Sequence, residues 1–429
     1  MGHSIIQVAL DFVDTHRALK LAEEIDGAGI DWLEAGTPLI KSAGLDIIRA
    51  LHKKFPQKCI VADLKIMDVG RIEVEMAVKA GAGVVTVLGC ASDETIKESV
   101  NAGRNYGAKV MADMIEVKDI STRVKQLEKL RVDIIGLHIP IDEQMKGKIN
   151  FGFLKDVRKI TSLPVAVAGG INSANIAEAV RAGADILIVG GAITKSACPA
   201  DEVKKLLKAI RTKTSVKNVY YQRAGLDNVR EVLNVVSAAN VSDAMHRAPA
   251  LTGVYPLVKG TKLVGPVVTV STLPGDWAKP VQAIDLANEG DVLVVDTGGV
   301  GPAVWGELAT QSAVTRKLAG VIVHGAVRDT MDIVKIKLPI FTKTVQPNAG
   351  EPKGYGEINV PLIIGGIKVS PGDWVIGDDD GVIVLPKNDV VEIANRAMNV
   401  LEHENRLRKE IKDGSTLAKV TNLLKWEKK

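Results

Sequence analysis

Eight short apolar runs, each followed by an amphipathic stretch, fill the first 210 residues. They are IIQVALD (5–11), WLEAG (32–36), KCIVADLK (58–65), GVVTVLG (83–89), AKVMADMI (108–115), DIIGLHI (133–139), PVAVAGG (164–170) and ADILIVGG (184–191). Val and Ile dominate them, and a nearly continuous apolar run is what a strand buried on both faces requires. The stretches between, such as THRALKLAEEI and SANIAEAVRA, have helical patterning. The phrases AGID (28–31), AGAG (80–83) and AGAD (182–185) recur where a helix hands over to a strand. Gly suits that position because it tolerates a left-handed backbone. Successive strand ends lie about 21 to 31 residues apart, enough for a helix that returns the chain to a parallel neighbour. Eight such units over 1–210 predict an α/β chain opening with a (β/α)8 TIM barrel. A doubly wound sheet is the alternative, since closure is not written in a sequence.

The rhythm then changes. Residues 211–225, RTKTSVKNVYYQRAG, are polar and basic without a period and read as a linker. Over 226–389, the runs LVGPVVTVST, GDVLVVDTGG, LAGVIVHGAVRD, NVPLIIGG and GDWVIGDDDGVIVLP predict strands, with helical patterns at 302–318 and 390–412. These predict a C-terminal α/β domain of different topology, closed by a charged, solvated helix and tail at 390–429. Asp378, Asp379 and Asp380 read as an acidic hairpin turn rather than a metal site.

Composition narrows the function classes. Lys and Arg total 55 against 51 Asp and Glu, a net charge of +4, and aromatics are 3%. That leaves neither the basic surface nor the stacking groups expected of a nucleic-acid binder. Cys59, Cys90 and Cys198 are three in number, far apart and in apolar surroundings, which argues against disulfides or structural zinc and fits a reducing cytoplasm. No membrane span or signal peptide is expected.

The ends of the apolar runs carry the polar residues. In a barrel of this kind, chemistry sits at the C-terminal rim of the strands. Asp11, Glu34, Asp63 and His138 fall there, with Gly169-Gly170 closing strand seven and Gly190-Gly191 closing strand eight. Lys65 follows Asp63 by two residues, so regular strand alternation points both side chains the same way. Glycine pairs also make ordinary turns. Two pairs after strands seven and eight, where barrels often hold phosphate, predict a phosphorylated substrate, with Asn172 and Ser173 as candidate caps of the following helix. Glu34 and Asp63, on neighbouring strands, could share Mg²⁺ (or Mn²⁺) or each pair with a base such as Lys65. His138 is a candidate general base.

ADLKIMD supplies Asp63-x-Lys65-x-x-Asp68, the pattern of the orotidine monophosphate decarboxylase superfamily. With QVALD, EAGTPLIKSAGL, TVLGCA, VAGGI and IVGGAIT in order across residues 4–200, the segment resembles the 3-hexulose-6-phosphate synthases. The resemblance implies an aldol addition of formaldehyde to ribulose 5-phosphate through a 1,2-enediolate, dependent on Mg²⁺ held by Glu34 and Asp63. It implies that Lys65 adds positive charge, that His138 removes the C1 proton and that Asp11 orients sugar hydroxyls. Gly169, Gly170, Gly190 and Gly191 would hold the phosphate, and Asp68 would reach into a partner's site in a homodimer. A related family, the 3-keto-gulonate-6-phosphate decarboxylases, has a basic residue shortly after the strand-six histidine. Here Ile139, Pro140 and Ile141 follow His138, which favours the synthase reading.

Residues 226–387 resemble a family that includes regulators of ribonuclease activity and class II 4-hydroxy-4-methyl-2-oxoglutarate aldolases, through VSDAM, GPVVTV, WGEL, HGAVRD, NVPLIIGG and PGDWVIGDDDGVIVLP. Glu307, Arg328, Asp329 and Asp332 fit the aldolase pattern acidic-x20-Arg-Asp-x2-acidic. The resemblance implies that Asp329, with Asp332, holds a divalent metal, that Arg328 grips a pyruvate enolate, and that Glu307 positions water. A metal-dependent pyruvate aldolase or oxaloacetate decarboxylase and a non-catalytic protein-binding regulator both stay open, as does a higher oligomer through this domain.

Overall fold

A computed structural model describes residues 4–139, 145, 151–216 and 223–421. These fall into two units. The first takes in the described residues up to 139, 151–216 and 402–421; the second takes in Met145 and 223–401.

In the first unit the eight runs become strands β1 (Ile5–Leu10), β2 (Trp32–Ala35), β3 (Cys59–Ile66), β4 (Val84–Leu88), β5 (Lys109–Asp113), β6 (Ile134–His138), β7 (Val165–Ala168) and β8 (Ile186–Val189). Each pairs in parallel with the next and β8 pairs with β1, so the sheet closes into a barrel. The doubly wound alternative is excluded. Alternate residues serve two cores. Ile6, Val8, Leu10, Leu33 and Val85 face the surrounding helices, while Val61, Val84, Met111, Ile134, Ala166 and Ile186 pack inside the barrel. Burial on both faces explains the lack of polar alternation, each filled Val or Ile position contributing about 1.5–3 kcal/mol. Gly29, Gly81 and Gly183, the repeated helix-to-strand glycines, all have φ between 103° and 110°, the conformation that only glycine adopts without strain.

The second unit is a mixed sheet built on the parallel strands β10 (Leu263–Ser271), β11 (Val292–Asp296), β12 (Gly320–Val327) and β13 (Ile340–Val345). The short β9 (Tyr255–Pro256) pairs antiparallel with β13. β14 (Glu357–Ile358) pairs with β10, and β15 (Leu362–Ile364) and β16 (Ile367–Val369) make a separate hairpin. β17 (Trp374–Asp378) lies antiparallel to β10 and turns through Asp379 and Asp380 into β18 (Gly381–Leu385), the acidic hairpin expected from sequence.

Four expectations need correction. The helix expected over 302–318 spans only Glu307–Thr315, because Ala303 and Trp305 bridge to Ala349 and Val327 as extended chain. Residues 211–225 are not uniformly a linker. The helix Pro199–Thr212 runs into them, 217–222 lie outside the described residues, and buried Ala224 exchanges hydrogen bonds with Asn395. The C-terminal helix, Val390–Lys412, is solvated on one side only. Glu402, Arg406 and Glu410 are buried, with Arg406 forked onto both Glu24 carboxylate oxygens at 3.0 Å and Glu410 bonded to Arg17 and Arg406 at 3.1 Å. These three charges are therefore internal partners, while Arg408 and Lys412 stay on a wet face. Cys59, Cys90 and Cys198 are free thiols, and Cys90 and Cys198 are exposed rather than set among apolar groups. Among the described residues no helix is long and apolar enough to cross a membrane.

Candidate active site

The strand ends of the barrel surround a cavity of about 340 Å³ whose wall includes Asp11, Glu34, Asp63, Lys65, His138 and all four glycines of the two pairs. β1 ends one residue before Asp11, β2 carries Glu34 and β6 ends on His138, so parallel register alone delivers these groups to one rim.

Lys65 arrives there by a route that strand alternation does not describe. The β3–β4 register shifts between Ala62 and Ile66, and Lys65 has φ of 48°. This bulge, pinned by the Lys65 amide donating to Thr86 Oγ1 at 3.0 Å, replaces the regular strand expected. It aims Nζ between two carboxylates, 3.1 Å from Asp63 Oδ2 and 2.8 Å from Asp113 Oδ2. Burial would push the Lys65 ammonium down, but the charges and hydrogen bonds of Asp63 and Asp113 outweigh it and hold the pKa well above the usual range.

Asp113 was not among the sequence candidates. The apolar run expected for the fifth strand extends to residue 115, whereas the strand ends on Asp113. Its Oδ2 takes Lys65 and lies 3.3 Å from His138 Nδ1, and its Oδ1 accepts from the Ile115 amide at 3.0 Å. Burial raises the Asp113 pKa, but the His138 hydrogen bond and the Lys65 charge overcome that and bring it down to about 2. An ionised carboxylate only accepts, so Nδ1 is the nitrogen that donates to it, and a neutral ring has its lone pair on Nε2. This is the arrangement a general base needs.

The other carboxylates crowd one another. Glu34 is buried and bonded to Gln7 Nε2 at 2.5 Å; desolvation, then the charges of Asp63 and Asp11, raise its pKa well above the carboxylate range. Asp11 has an open face at the mouth, yet desolvation and then Asp63 push its pKa up against Lys65, His138 and Lys195. A side chain at Gly36 would collide with Asp11, so that glycine makes room for it. Asp63 accepts from Thr86 at 2.8 Å and from Thr37 at 2.7 Å. Three carboxylates facing one ammonium form a site that a small divalent cation would relieve. Among the described residues no group of three or more His, Cys, Asp or Glu stands ready to hold a metal. Two carboxylates completed by water and substrate oxygens fit the habit of Mg²⁺.

Gly169 and Gly170 have φ of 102° and 67°, left-handed backbone that favours glycine; Gly190 and Gly191 lead directly into a short helix, Gly191–Thr194. Asn172 and Ser173 do not cap the next helix. Asn172 Oδ1 instead accepts from the Ala174 amide, closing the loop on itself, and Ser173 is buried. Asp68 is exposed and does not line the cavity of its own barrel. Pro140 and Ile141 lie outside the described residues.

The second unit has its own cavity of about 270 Å³, lined by Trp277, Trp305, Leu308, Arg328 and Asp329 among others. Asp329 opens the helix Thr330–Ile336 and accepts from the Glu307 backbone amide at 3.2 Å, while Arg328 Nε lies 3.6 Å from it. Asp332 is not brought in; it is exposed and pairs with Lys335 at 2.8 Å.

Residues 4–206 match the family model described as orotidine 5'-phosphate decarboxylase / HUMPS family, and residues 238–384 match the RraA-like model, Aldolase/RraA. The chain is 39% identical over 205 residues to the 3-hexulose-6-phosphate synthase of Mycobacterium gastri, covering 48% of this chain and 99% of that protein. It is 38% identical over 206 residues to the 3-hexulose-6-phosphate synthase of Bacillus subtilis (strain 168), covering 48% and 98%. Among solved structures, the RNA-processing inhibitor RraA from Thermus thermophilis is 30% identical over 35% of this chain and 92% of that one, with a TM-score of 0.33.

Proposed function

Because this chain belongs, through residues 4–206, to the 3-hexulose-6-phosphate synthase branch of the orotidine 5'-phosphate decarboxylase/HUMPS family and carries an RraA-like domain at 238–384, we propose that its barrel joins formaldehyde to D-ribulose 5-phosphate, giving D-arabino-hex-3-ulose 6-phosphate, or runs the reverse cleavage. The observation that carries this reading is the single rim cavity shared by Asp11, Glu34, Asp63, Lys65, Asp113, His138 and both glycine pairs.

Glu34 and Asp63 would hold a Mg²⁺ (or Mn²⁺) ion, whose contribution is to draw electron density from the ketose carbonyl. His138 Nε2 takes the C1 proton, with Asp113 holding the ring and balancing the imidazolium that forms. Lys65 donates to the oxygen on which negative charge develops. Asp11 accepts from sugar hydroxyls at the mouth, and backbone amides of the glycine loops receive the phosphate. The barrel works as a homodimer, with Asp68 lent to a second copy across the exposed apolar residues Met67, Val69, Ile72 and Met76, each about half exposed. The test is formaldehyde consumption by the full chain with ribulose 5-phosphate and Mg²⁺, with sedimentation equilibrium on the same preparation. Formaldehyde loss that needs both sugar phosphate and cation is expected from a two-barrel mass or larger. Failure both to consume formaldehyde with ribulose 5-phosphate and to release it from hexulose 6-phosphate would defeat the activity, and a single-chain mass would defeat the dimer.

For the second unit, the favoured reading is a metal-dependent pyruvate aldolase or oxaloacetate decarboxylase, because Arg328 and Asp329 share a cavity with an apolar wall. A guanidinium beside a carboxylate-held cation can stabilise a pyruvate enolate. Asp332, paired elsewhere, is set aside as a ligand. Mg²⁺-dependent oxaloacetate decarboxylation is expected to fall about a hundredfold in Arg328→Ala. Activity that is absent from the wild type, or unchanged in the variant, would leave the protein-binding reading.

A further inference from the structure

Strand β1 puts a glutamine between the apolar inner layer of the barrel and the polar groups of its rim. Gln7 follows Ile5 and precedes Ala9 on the inward face, in register with Trp32 of β2 and Ile188 of β8, and it is 1% exposed. Its neighbours on that side of the wall include the apolar layer of Val61, Met111 and Ile186. An apolar side chain of the same length would fill this position without losing any hydration, whereas a buried amide is costly unless its groups are used.

One of them is used. Nε2 donates to Glu34 Oε2 at 2.5 Å. Oε1 is buried without a hydrogen-bond partner among the described residues, and Gln7 lines the same cavity as Glu34 and Asp63. With Glu34 ionised, as a cation ligand would be, the amide cannot turn over to trade these roles, because that would set two acceptor oxygens against each other. Gln7 is thus a one-directional donor to one oxygen of one carboxylate, with its acceptor left in the cavity wall.

We infer that Gln7 is a positioning residue for the cation site: its amide fixes the Glu34 carboxylate from below, so that Glu34 meets a divalent ion in one orientation instead of turning toward other donors. This rests on the reading of Glu34 as a cation ligand. Groups that hold a ligand from behind are commonly worth about 10- to 100-fold in metal affinity. Gln7 does not touch the sugar phosphate in this scheme, so its removal acts through the ion.

The experiment measures Mn²⁺ binding to the full chain by electron paramagnetic resonance of the free ion, without any sugar phosphate. Wild type, Gln7→Leu, Gln7→Met and Glu34→Gln are compared, with thermal unfolding of each. The barrel site is the one that Glu34→Gln removes. In both Gln7 variants that site should weaken by about 10- to 100-fold while unfolding stays cooperative at a lowered midpoint, because the buried Glu34 oxygen loses its donor. Wild-type affinity in either folded variant overturns the inference and leaves the cation reading intact. A wild type with no site sensitive to Glu34→Gln overturns both. Loss of cooperative unfolding in both Gln7 variants also overturns it, because Gln7 would then hold the barrel together rather than the ligand.

Discussion

Replacing Lys65 with Ala should lower kcat/KM for formaldehyde addition to ribulose 5-phosphate by about 10²- to 10³-fold, the usual effect of removing one preorganised group that faces developing charge. The geometry makes the loss larger than that of a surface lysine. The ammonium is the shared partner of Asp63 and Asp113, two buried carboxylates drawn from β3 and β5. Without it both lose their counter-charge, and uncompensated buried charge is strongly destabilising. Asp11 and Glu34, already pushed up by desolvation and by Asp63, lose a cation that opposes that push. Lys65→Arg should rescue little, because a planar guanidinium does not fit the point-charge position between two carboxylates. Circular dichroism separates a folded, inactive variant from an unfolded one. A folded Lys65→Ala protein with the wild-type rate would remove Lys65 from the chemistry.

The second large effect is expected at His138. Ribulose 5-phosphate incubated in deuterium oxide with the wild-type chain, and with no formaldehyde present, should exchange its C1 proton with solvent. His138→Asn should slow that exchange by about 10²- to 10⁴-fold, the range for a lost general base. Asn keeps a donor toward Asp113 but has no lone pair that takes a proton at neutral pH. The measurement isolates proton transfer from carbon–carbon bond formation, so an unchanged exchange rate would assign the base to another residue. Asp113 gives the prediction its direction. Held down to about 2, it stays ionised throughout the working range, so the neutral ring turns Nδ1–H toward it and presents the Nε2 lone pair to the cavity.

Much of the barrel was legible because burial on both faces of a parallel strand leaves one of the plainest marks a sequence can carry. All eight runs became strands within a residue or two of their expected limits, and the three repeated helix-end glycines adopt the backbone that glycine alone adopts cheaply. Asp11, Glu34, Asp63 and His138 could be placed at one rim because a strand end has a position in the chain. Asp113 was missed for the same reason, through an end misplaced by two residues. The solvated reading of the C-terminal helix failed differently. Arg406 and Glu410 look like any wet helix face, and only their partners Glu24 and Arg17, nearly four hundred residues earlier, show them to be internal.

By itself, then, the sequence determined the strand count, the rim and its chemical inventory, because periodicity and strand ends are local properties of a chain. Tertiary structure alone decided which groups act together. Barrel closure joins β1 to β8, the β3 bulge swings Lys65 onto Asp113 across 48 residues of chain, and β5 meets β6 to bring Asp113 beside His138. Such partnerships depend on distances between strands, and a strand's own residues carry no record of its neighbour's register.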